Sequence, residues 1–176
     1  MTVEVPEPAQ VESKKPKRTP EEIREQIHRI SKKLIERAAR LPQGEDRATG
    51  DSLYSGDNPA GGYVLHVEGR PDKESTISKI DVRDDDVKVG HSIEKGDEAG
   101  DLLATNRVEL DFNESGSRGR YETIDRGRNR HDQRELSPEQ AASSAARTLD
   151  HLRGKITERE IAQTPVKDSR LDELFK

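Results

Sequence analysis

Histidine is the side chain that most readily changes charge near neutral pH and most often ligates metals. The five histidines are therefore the first place to look for chemistry. His28, His66, His91, His131 and His151 are widely separated, and none pairs with another at metal-ligand spacing. The chain has no cysteine, which removes thiolate ligands, thiol nucleophiles and disulfides together. His66 and His91 fall in stretches with strand character and could meet across a sheet. A partly exposed strand histidine without a ligand is the simpler expectation. Asp81, Asp84, Asp85 and Asp86 gather carboxylates, but their spacing is not that of a calcium-binding loop and reads as a solvated acidic turn. Neither a metal site nor a cofactor is expected.

Gly50-Asp51-Ser52-Leu53 resembles the signature tetrapeptide of the GDSL-type esterases, in which the serine is the nucleophile. The resemblance covers these residues alone. In that family a hydrophobic strand precedes the motif, whereas here Gln43 to Thr49 is polar. The family's later Asp-x-x-His has no match, because Asp150 stands directly before His151. The tetrapeptide is read as coincidental and the chain as non-enzymatic.

Arginines carry the remaining chemistry. Arg118, Arg120, Arg126, Arg128 and Arg130 crowd a stretch with Gly116, Gly119 and Gly127, and Lys14, Lys15, Lys17 and Arg18 form an earlier basic cluster. Such stretches can neutralise phosphates. Glu122 and Asp125 dilute the later one, and the chain carries a net charge of −5. A nucleic-acid-associated accessory protein using basic stretches 14–40 and 118–134 is thus the alternative reading of function.

The elements that would position these groups are unequal. Thr19-Pro20-Glu21-Glu22 is a helix start, with threonine as cap and proline at the first helical position. Ile23, Ile27, Ile30, Leu34 and Leu41 follow at helical spacing until Pro42, which predicts an amphipathic helix over 19–41. Its stripe is the expected binding surface for a protein partner or a second copy. Ser137-Pro138-Glu139-Gln140 repeats the start chemistry ahead of an Ala-rich helix over 137–153, with Gly154 placed to end it and a further turn reaching 162.

Between the helices, Tyr63, Leu65 and Val67 alternate, as do Val87, Val89, His91 and Ile93, and Val108, Leu110 and Phe112. Ile80 and Val82 suggest another short piece. The region 63–112 therefore reads as a weak, short-stranded meander. Residues 42–62 read as flexible linker, 113–136 as an Arg/Gly-containing loop, and 1–18 and 163–176 as flexible tails.

Composition sets the overall expectation. Hydrophobic residues are 28%, charged residues 38% and aromatics 3%, too little apolar surface to offset backbone ordering along the whole chain. The sequence thus predicts a mostly disordered polyampholyte with isolated helices and no single compact domain. No apolar run is long enough to span a membrane. With no cysteine and no apolar signal segment, the protein is expected in the cytoplasm. The function expected is a non-enzymatic interaction or regulatory protein acting through its amphipathic helix.

Overall fold

The computed structural model describes residues 17–47, 49–70, 74–97, 101–163 and 174. Lys14 and Lys15 lie outside them, as does most of each tail. Helix α1 (Pro20–Ala39) begins as its sequence dictates, with the Glu22 amide donating to Thr19 Oγ1 at 3.2 Å. Helix α2 (Pro138–Gln163) opens on a complete capping box. The Gln140 amide donates to Ser137 Oγ at 3.2 Å, and the Ser137 amide donates to Gln140 Oε1 at 3.0 Å. Gly154 does not end α2, which continues through it for another nine residues to Gln163.

The eight strands are β1 (Gly44–Glu45), β2 (Ser52–Asp57), β3 (Tyr63–Gly69), β4 (Glu74–Arg83), β5 (Asp86–Gly96), β6 (Leu102–Asn113), β7 (Gly116–Asp125) and β8 (Arg130–Leu136). Each pairs antiparallel with the next, giving one sheet in sequence order. Paired residues point to the same face, so the register sorts the chain into ladder rows. One row runs Leu65, Ile80, Val89, Leu110, Gly119, Leu136, and a neighbouring row runs Val82, Val87, Phe112. Both helices cover this face, and their buried side chains form one apolar cluster with these rows.

The expectation of a mostly disordered chain is therefore corrected. An eight-stranded sheet and two helices make a compact fold. The predicted linker 42–62 contains β1 and β2, and the predicted loop 113–136 contains β7 and β8. Composition misled because only one face of the sheet is covered, so only alternate strand residues need be apolar. The opposite face holds much of the charge that looked like disorder. There Lys79, Gly90, Glu109, Arg120 and Glu135 form one row, and Arg120 meets Glu109 at 2.9 Å. Edge strand β8 is charged and exposed, which discourages pairing with another chain.

Small residues let α2 approach closely. A Cβ on Gly119 would lie 2.9 Å from Leu110 Cδ2 and 3.2 Å from Ala141 Cβ, so glycine here seats the Ala141–Ala145 face directly on the sheet. The far end of α2 is held by polar groups. Arg159, 8% exposed, donates to the carbonyls of Pro42 (3.2 Å), Gly44 (3.1 Å) and Asp51 (2.7 Å). Lys155 bridges to Asp51 at 3.0 Å. Arg37 of α1 pairs with Glu160 of α2, which raises the arginine's pKa and lowers the carboxylate's, in each case mainly through their hydrogen bond.

A candidate ligand-binding cleft

Beyond the rows sealed by the helices, the covered face has another row: Leu53, Val67, Ser78, His91, Val108, Tyr121, Arg134. Its β2–β4 end is buried, but from His91 onward it is at least partly exposed. Here α2 overhangs the sheet without closing on it. Gln140, Ser144, Arg147 and His151 recur at four- and three-residue steps, a helical spacing that lines one side of an open cleft of about 630 Å³. The floor is Ile93, Val108, Tyr121 and Leu136 from the sheet.

His91 is fixed at the inner end. Its Nδ1 lies 2.7 Å from Ser78 Oγ, whose side chain is buried beneath it. Its ring meets that of His151 edge to face, with centroids 5.6 Å apart. With Nδ1 engaged at the sheet, Nε2 is the nitrogen left for a cleft occupant. Burial, and secondarily the charge of His151, lowers the His91 pKa below the ordinary histidine value. At the outer end the Arg134 guanidinium sits 5.6 Å from the centre of the Tyr121 ring. Arg147 reaches back to Ser144 Oγ at 3.3 Å.

Of the residues singled out from sequence, the fold brings few together. His66 and His91 occupy opposite faces and do not meet; His91 meets His151 instead. Ile27, Leu34 and Leu41 are buried in the chain's own core, Ile23 packs at its margin, and Ile30 is 37% exposed. The apolar stripe of α1 thus covers the chain's own sheet.

Lys17 and Arg18 are exposed ahead of α1. Arg118 and Arg120 are exposed on the outer face, opposite Asp111 and Glu109. Arg126 and Arg128 occupy the β7–β8 turn, and Arg130 stands opposite Asp125.

Asp51 of the esterase-like tetrapeptide is bound by Lys155, Leu53 is core, and Ser52 faces outward opposite Glu68. Among the described residues no cluster of three or more acidic, histidine or cysteine groups is arranged to hold a metal ion. No described helix is long and apolar enough to cross a membrane.

Sequence reasoning missed the cleft because its members come from five strands and a helix. One signal was present: His91 alternates with Val87, Val89 and Ile93, which places it on the apolar face. Compared with protein-family models, curated proteins and solved structures, the chain matches none.

Proposed function

We propose that this is a non-enzymatic binding protein whose working surface is the cleft between α2 and the β5–β8 end of the covered face. The observation that carries the reading is an apolar floor left open at the β5–β8 end of the covered face, beside rows whose Leu, Ile, Val and Phe side chains the helices bury. A cleft of about 630 Å³ lies within the range that holds small organic ligands. Burial of Ser78 supports binding over hydrolysis, since its hydroxyl orients the His91 ring and does not line the cleft. The stripe of α1 is occupied within the chain, so an interaction role falls to the cleft rather than to that helix.

The test uses 1-octanol as a neutral apolar probe and follows methyl resonances of the intact protein. The expected result is saturable shifts at Ile93, Val108 and Leu136, lost in Val108→Trp, where the indole occupies the floor. Shifts confined to other surfaces, or undiminished in the variant, would sink the reading.

A further inference from the structure

Resting on that reading, we infer that the cleft is built for a small amphiphilic anion: an organic acid whose aliphatic body lies on the floor and whose carboxylate is received by His91, His151 and Arg147. Three observations carry this. First, the chain has 36 acidic residues, yet among the described residues no carboxylate lines the cleft, while His91, His151, Arg134 and Arg147 all do. In a chain of net charge −5, this is a local reversal of sign.

Second, Arg147 and His151 stand four residues apart on α2 and so project from the same side, one turn from each other. His91 faces them from β5, its ring contacting that of His151. An anion entering here meets donors from both walls, and the partial burial of His91 strengthens its contact relative to water.

Third, the floor beside these groups is aliphatic. Ile93, Val108 and Leu136 offer area to a hydrocarbon body, and the Tyr121 ring already carries Arg134. The open mouth and limited volume suit a free small molecule.

The arrangement predicts proton linkage. The groups turned toward His91 are Ser78 and Thr76 of β4, Val108 of β6, Tyr121 of β7, Arg134 of β8, and Arg147 and His151 of α2. Burial, and secondarily the charge of His151, disfavours a proton on His91 in the empty cleft, and no carboxylate lines the cleft among the described residues to offset this. A bound carboxylate reverses this balance. Protonated His91 donates from Nδ1 to Ser78 Oγ and from Nε2 to the anion, so binding takes up a proton and tightens as pH falls.

The experiment compares octanoate, 1-octanol and octylammonium, the same chain with three head groups, by the methyl titration at about pH 6 and about pH 8, on either side of the ordinary histidine value. Octanoate should bind about tenfold more tightly than octanol at the lower pH, with the gap narrowing at the higher one. Arg147→Ala, at an exposed position, should remove most of the octanoate advantage, and His91→Gln should flatten its pH dependence. Octanol binding that persists in both variants shows that the fold is retained. Octanol binding in the cleft with octanoate no tighter, octylammonium tighter than either, or an octanoate affinity indifferent to pH would each overturn the anion assignment and leave the binding reading standing. If neither octanol nor octanoate shifts the cleft methyls, the binding reading itself fails.

Discussion

The two ends of the covered sheet face differ in how their rows are finished. Under the two helices, Leu65, Ile80, Val89 and Leu110 are at most 2% exposed, and Phe112 and Val87 are fully enclosed. Toward β5–β8 the next row passes from buried Ser78 to partly exposed His91 and Val108, then to exposed Arg134. The strands are continuous, so the backbone is common to both ends and the side chains make the difference. Where rows carry Val, Leu, Ile and Phe the helices close down. Where they carry His, Tyr and Arg, α2 stands off and a cleft remains. One face thus supplies stability at one end and a receptive surface at the other.

Substitutions can break this contrast. The largest effect is expected at the sealed end, where Phe112→Ala leaves a cavity and should cost about 3–5 kcal/mol in urea denaturation. Gly119→Val drives a branched side chain into Leu110, Leu136 and Ala141, and should cost about 1–3 kcal/mol. It should also alter cleft binding, because α2 must lift from the sheet. At the open end Val108→Ala should cost only about 1 kcal/mol while weakening octanol binding. A cost equal to that of Phe112→Ala would erase the distinction between the two ends.

The His91 pKa is lowered by folding, so the unfolded chain binds its proton more readily. Stability should therefore fall as pH drops through about 6.5, the unfolded value, and His91→Gln should reduce that slope. The smallest change is Gly154→Ala, which has open space around the new methyl and should stabilise α2 by about 0.5–1 kcal/mol. It should leave binding untouched.

Much of the sealed end was legible in the sequence. The caps at Thr19 and Ser137 mark where both helices begin, and the alternations at 63–67, 87–93 and 108–112 place the correct residues on the covered face. The outer strands were not legible. Along β7 the inward positions are Ser117, Gly119, Tyr121 and Thr123, and along β8 only Leu136 is aliphatic, so period-two hydrophobicity is absent. Their strand character comes from pairing with β6 and from charge ladders on the outer face, both nonlocal. Counting apolar residues against the whole length also missed that a sheet covered on one face needs few of them. The cleft was illegible for a related reason: His91 and His151 are sixty residues apart, and only the packing of α2 onto Gly119 brings their rings together.

The contrast between the ends is tested most directly by intermolecular nuclear Overhauser effects between 1-octanol and the protein's methyl groups. The account predicts contacts to Ile93, Val108 and Leu136, and none to Leu65, Ile80 or Val89. Contacts to those three enclosed residues, or to the outer face in place of the cleft, would contradict it.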